Sequence, residues 1–185
     1  MKRLFCLAIL VLFLFGCGKN EGLDRAMKLR TKLLQGSGCS FDVVITADYG
    51  EKQYVFSEKC EGTENGDLSF AVTKPDTISG ITGRVDVAGG KLTFDKHVLA
   101  FPLLAASLLT PVSAPWFFLH ALRSGYINAC EDTSETMKII LHDTYGETEI
   151  VVDVFCNSDN MAYYSEIYWN GSRIIALEID NFEIL

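Results

Sequence analysis

The sequence predicts a mainly β domain of antiparallel, meandering strands, with one helix at its front and a short apolar helical insert in its middle. Three observations carry that reading. Apolar and polar residues alternate with period two through many short stretches, Cys39–Ala47 the first of them. Glycine and asparagine punctuate these stretches as turn signals, at Gly50, Asn65-Gly66, Gly89-Gly90 and Asn170-Gly171. The links between stretches are too short for the crossovers that parallel strands require.

The chain opens with a basic Met1-Lys2-Arg3 and then runs through twelve apolar residues, Leu4 to Phe15. Twelve helical residues reach about 18 Å, well short of the ~30 Å hydrocarbon core, so a secretion signal is expected rather than a membrane span. Gly16 is the small residue of a processing site. Residues 1–16 are therefore read as a signal peptide, 17–22 as a short tether and 23–185 as one domain. Leu14-Phe15-Gly16-Cys17 resembles the bacterial lipobox, in which the cysteine is lipidated on sulfur and becomes the new N-terminus. The resemblance makes Cys17 the lipid attachment site, carrying a diacylglyceryl group with palmitate-like chains. One acyl chain holds a protein marginally and two hold it stably. The expected location is the outer face of the bacterial cytoplasmic membrane, with Cys6 lost in the signal.

Charge excludes one class of partner. Loss of Lys2 and Arg3 with the signal takes the net charge from −8 to −10, which is unsuited to nucleic acid. The distribution is uneven: Lys19, Arg25, Lys28, Arg30 and Lys32 outnumber Glu21 and Asp24 across residues 17–36, and everything after them is strongly acidic. A basic segment beside a lipid anchor suits anionic headgroups, and it equally suits a solvated helix face. The partners expected are the membrane through the anchor, a candidate lipid ligand, and a candidate envelope protein.

Leu23 to Gly36 reads as a helix, with Leu23, Ala26/Met27 and Leu33/Leu34 at helical spacing and Gly36 at its stop. The alternating strand from Cys39 follows, then a turn at Asp48-Tyr49-Gly50-Glu51. Centred between Tyr49 and Gly50, the hairpin sets Ile45 against Tyr54, Val43 against Phe56, and Cys39 against Cys60. That last pair falls at a non-hydrogen-bonded site, where Cα atoms approach about 4.5 Å, so a Cys39–Cys60 disulfide is expected in an oxidising compartment. Cys130 and Cys156 have no comparable support. None of the cysteines forms a C-x-x-C pair or has a histidine at ligand spacing, so no metal and no cofactor is expected.

Short strands are expected at Leu68–Thr73, Ile78–Val87, Lys91–Asp95 and His97–Phe101. The character then changes. Residues 102–126 are rich in leucine and punctuated by prolines, with a helix from Ala114 to Ser124, Pro115 in its first turn and Gly125 at its stop. Strands resume at Met137–Asp143, Glu149–Phe155 and Ala162–Trp169. Asn170-Gly171 then turns the chain into Arg173–Asp180. Asn170-Gly171-Ser172 also fits a glycosylation acceptor, but the hairpin turn accounts for the same residues.

This order of elements behind a lipobox, with Ile81–Asp95, Ser113–Tyr126 and Glu166–Phe182, resembles the LolA/LolB-like lipoprotein carriers and the small Gram-positive lipoproteins sharing their fold. The resemblance implies a strongly curved antiparallel sheet, a LolA-like half-barrel, with the N-terminal helix and the short apolar insert packed on its concave side over an apolar cavity.

No nucleophile elbow, P-loop, H-E-x-x-H or dinucleotide fingerprint occurs, so no enzyme activity and no catalytic residue is expected. The three histidines, His97, His120 and His142, lie at positions better suited to surface strands and a polar helix face. The informative feature is the insert, apolar nearly all round and so buried on several sides. Leu103, Leu104, Leu108, Trp116, Phe117 and Leu119 are the candidate apolar ligand-binding residues. They form either a lid over a lipid-filled cavity or a plug that fills the half-barrel, the plug being preferred for most of them. The function expected is non-enzymatic binding of a lipid or acyl chain by an anchored extracytoplasmic lipoprotein. The alternative is a structural or regulatory envelope or spore partner protein with a plugged cavity.

Overall fold

The computed structural model describes residues 21–94, 97–101, 104–105, 108–133, 135–145 and 148–185, with backbone alone at 104, 105, 108, 144, 145 and 148. Helix α1 (Glu21–Gln35) leads into β1 (Gly38–Asp48), β2 (Gln53–Thr63), β3 (Leu68–Lys74), β4 (Thr82–Asp86), β5 (Gly89–Phe94) and β6 (His97–Phe101). The insert holds the two-residue strands β7 (Leu104–Ala105) and β8 (Leu108–Leu109), a 3-10 turn at Pro111–Ser113, and α2 (Ala114–Ser124). Strands β9 (Tyr126–Asp132), β10 (Met137–Tyr145), β11 (Thr148–Cys156), β12 (Ala162–Trp169) and β13 (Ser172–Ile184) complete the chain.

Eleven strands form one antiparallel sheet in the order β6-β5-β4-β3-β2-β1-β13-β12-β11-β10-β9. The first and last long strands therefore meet at its centre, and β6 and β9 are edges that do not pair with each other. The sheet is curved and open, a half-barrel. The insert links one edge to the other, and α2 packs against β10 to β13 and against α1. Its fit on the sheet is close at Gly62, where a Cβ would lie 2.6 Å from Leu119 Cδ2 and 2.8 Å from Cys39 Sγ.

Local sequence explains most elements. Gly22, Ala26, Leu29 and Leu33 form the buried stripe of α1, which corrects the expected face: Leu23, Met27 and Leu34 lie toward solvent. The helix also begins at Glu21 rather than Leu23. Asn170 and Gly171 take φ of 48° and 77°, the left-handed pair of a two-residue hairpin turn. Asn181, at φ 53°, sits where the β1–β13 register shifts, and its Nδ2 donates to Asp42 Oδ2 at 2.9 Å.

The β1–β2 hairpin corrects a second expectation. Asp48 pairs with Gln53, so the loop holds the four residues Tyr49–Lys52, with Gly50 at φ 82°. The register is displaced by two: Ile45 faces Phe56, Val43 faces Glu58, Phe41 faces Cys60, and Cys39 faces Gly62. A slip of two keeps every side chain on its face, so the alternation holds while the pairs change. Cys39 and Cys60 become diagonal neighbours, about 7–8 Å apart on such a ladder, against a Cβ separation near 4 Å in a disulfide. Both are free thiols, as are Cys130 and Cys156. The latter two oppose Ile139 and Met137 from either side of β10, two strand spacings apart.

Candidate apolar binding site

The side chains of α2 are the filling of the half-barrel. Trp116, Phe117, Phe118 and Leu119 are at most 1% exposed. Trp116 Nε1 donates to Gly66 O at 3.1 Å in the turn after β2, and its ring stacks on His120 with centroids 4.6 Å apart. Phe118 meets Phe41 edge-on at 5.6 Å and Phe182 at 5.9 Å. Of the candidate ligand-binding residues, Trp116, Phe117 and Leu119 are thus placed in the packed core. Leu104 and Leu108 lie in the β7–β8 ribbon with their backbone alone described, and Leu103, like Cys17, falls outside the described residues.

An apolar pocket opens beside this core. It has a volume of about 450 Å³ and is walled by Tyr49, Tyr54, Phe56, Ile78, Leu109 and the Thr110–Val112 segment. Tyr49 comes from the β1–β2 loop and Tyr54 from the first turn-side residues of β2, where it faces Ala47 and is 46% exposed. Tyr49 hydroxyl donates to Leu109 O, which ties the hairpin loop to the insert. Burial, and secondarily neighbouring Tyr54, pushes the Tyr49 phenol up to about 12, so it remains a donor at neutral pH. In the sequence Tyr49 reads as turn and Tyr54 as a strand continuation. The available signal was the pair of aromatic residues, Tyr49 and Tyr54, on either side of the Gly50 turn.

An acidic side chain is fully buried on the β2 side of this interior. Glu58 is 1% exposed on the concave face of β2, with Val43 facing it on β1 and Val72 on β3. Burial pushes its carboxyl well above the ordinary range, a thiol hydrogen bond from Cys60 opposing the shift.

His120 is held by its own helix and by β10. His120 Nε2 lies 3.2 Å from Ser124 Oγ and 3.5 Å from Asp143 Oδ2, so one nitrogen faces both neighbours. Ser124 Oγ donates its proton to His120 O at 2.8 Å, which leaves no proton for the ring to take. Arg123, on the same helix, donates to Leu33 O and Glu64 O instead of facing the histidine. Among the described residues no group of three or more His, Cys, Asp or Glu side chains converges as a metal site, and no helix is long and apolar enough to cross a membrane.

No protein-family model matches the chain, and no curated relative matches it. Solved structures do. A LolA superfamily protein from Nitrosomonas europaea is similar over 86% of this chain and 93% of its own, at 11% identity and a TM-score of 0.47. A putative outer membrane lipoprotein-sorting protein domain from Vibrio parahaemolyticus is similar over 90% and 93%, at 10% identity and a TM-score of 0.48. Lipoprotein LppX of Mycobacterium tuberculosis is similar over 89% and 96%, at 14% identity and a TM-score of 0.46. These are likenesses of fold alone.

Proposed function

We propose that the chain is a lipid-anchored extracytoplasmic lipoprotein that binds an acyl chain without catalysis, on the outer face of the cytoplasmic membrane. The observation that carries this reading is the apolar pocket between the β1–β2 loop and the insert. Its volume lies within the range of small-molecule sites, roughly 300–1,000 Å³, and its walls are aromatic and aliphatic. Burying about 300 Å² of acyl surface at about 25 cal/mol/Å² is worth roughly 7 kcal/mol before association costs. Affinity then falls in the micromolar range at best, which suits a protein that must also release its ligand. Cys17 as the anchor rests on Leu14-Phe15-Gly16-Cys17 and keeps the domain beside the source of such chains.

The second reading, a structural or regulatory partner protein, is favoured by the filled core beneath α2, where the insert's own Trp116, Phe117 and Leu119 occupy the space a larger lipid would need. Ile78, 37% exposed at the pocket wall, separates the two. Ile78→Glu places a charge in the pocket without emptying the core. Lost acyl-chain binding with an unchanged melting temperature supports the carrier; an absence of binding in the unaltered chain supports the partner.

A further inference from the structure

Glu58 is left with hydrogen-bonding capacity that the fold does not use. Among the described residues, its Oε2 accepts only the Cys60 thiol, at 3.9 Å, and its buried Oε1 has no hydrogen-bond partner. A protonated carboxyl offers one O–H donor and further acceptor capacity. Buried polar groups in native proteins are nearly always satisfied, and an exception requires a reason. On β1 and β3 the concave face around it presents Phe41, Val43, Ile45, Phe70 and Val72. Cys60 is the titratable neighbour that acts on it; Cys60 in turn is influenced by Cys39 and Asp42.

The position of the carboxyl is the second observation. Phe56, two residues earlier on the same face, lines the pocket, and two strand residues rise about 6.6 Å. On the other flank, Val72 N donates to Ile81 O at 2.8 Å and Val72 O accepts from Gly80 N at 3.0 Å, in the turn whose Ile78 lines the same pocket. The carboxyl therefore lies one residue layer from the pocket.

We propose that Glu58 is the polar anchor of this pocket, hydrogen-bonding the uncharged polar end (a hydroxyl or amide) of a single-chain amphiphile whose tail lies among Tyr49, Phe56, Leu109 and Val112. The proposal rests on the acyl-chain reading above and narrows it to a ligand class. A phosphate or ionised carboxylate end would meet a second acid in an apolar surround, so anionic heads are disfavoured. A neutral end gains both a donor and an acceptor. Reaching Glu58 requires the Phe56 ring to turn aside, a side-chain motion and not a change of fold.

The test titrates the full chain carrying Cys17→Ala with decanol, decanoate and decylamine at neutral pH, in the otherwise unaltered form and with Glu58→Gln or Glu58→Leu. The unaltered form is expected to bind decanol about tenfold more tightly than either charged probe. Glu58→Gln, which keeps a neutral donor and acceptor, retains the decanol affinity, whereas Glu58→Leu loses it about tenfold. Equal decanol affinity in the Glu58→Leu form removes the anchor and leaves the acyl pocket standing. A preference for decylamine overturns the proposal in favour of a cationic ligand. Binding of no probe overturns both this proposal and the acyl-chain reading. If Glu58→Leu fails to fold, the probe preferences of the unaltered and Glu58→Gln forms decide.

Discussion

Arg30 and Arg123 cap each other's helices. Arg30 Nε donates to Leu122 O at 2.8 Å and its Nη2 to Gly125 O at 2.6 Å, at the C-terminal end of α2. Arg123 Nη1 donates to Leu33 O at 2.9 Å, near the end of α1. The last carbonyls of a helix have no partner within it, and a cation there also meets the negative end of its dipole. The two helices are thus joined through their ends as well as through the packing of Leu29 and Leu33.

Arg30→Met keeps the aliphatic stem and removes the donors. Hydrogen bonds to charged groups are worth about 1.5–3 kcal/mol each, and the loss at a partly buried site is expected near the middle of that range. Arg30→Lys is expected to recover little, since an ammonium cannot reproduce the fork. Denaturant unfolding of both variants checks this; full recovery by lysine would mean that charge alone matters.

Glu58 sets a pH dependence with a definite sign. Its carboxyl is held well above its ordinary 4.5 by burial, so the folded chain holds a proton that the unfolded chain releases. This contribution to stability is complete below that ordinary value and is lost as pH rises toward the folded-state value. Within that window the slope approaches about 1.4 kcal/mol per pH unit. Glu58→Gln is expected to flatten it and to be more stable than the unaltered chain at neutral pH. Unfolding free energies measured across mildly acidic to neutral pH test this, and parallel curves for the two forms would contradict it.

The thiols report on the hairpin register. Burial pushes Cys39 up, Cys60 well up, and Cys156 up to about 12; Cys130 is raised as well, by burial and by Asp132, but it is only half-buried. A water-soluble thiol reagent is expected to modify Cys130 in the native Cys17→Ala chain and the other three only on unfolding. Peptide mapping that recovers Cys39 joined to Cys60 would contradict the register in which Cys39 faces Gly62.

The anchor has its own check. Cys17→Ala is expected to abolish incorporation of a fatty-acid analogue and to leave precursor or released protein. Label retained on the Cys17→Ala form would place the lipid elsewhere.

The period-two stretches made the strands legible, and Asn170-Gly171 and Pro115 with Gly125 marked a turn and a helix that the structure contains where they were expected. Register was harder to read. A two-residue and a four-residue loop at Gly50 keep the same face for every side chain, so alternation could not distinguish them, and the placement of Cys39 and Cys60 favoured the wrong one. Glu58 shares the face of Phe56 and Cys60 in either register, and its burial follows only from the packing of β1 and β3 on both sides of it. The open antiparallel sheet agrees with what the resemblance implied. The pocket was not, because Tyr49, Ile78 and Val112 come from three segments far apart in sequence that meet only when the insert crosses the sheet.

Native mass spectrometry of the exported Cys17→Ala chain, without and with added decanol, tests the central claim most directly. One bound acyl-chain molecule per chain is expected, either carried through purification or acquired on titration, and Ile78→Glu should abolish it while the melting temperature holds. A bare mass in the unaltered form at every probe concentration, or an adduct that survives Ile78→Glu undiminished, would contradict binding in the pocket between Tyr49 and Val112.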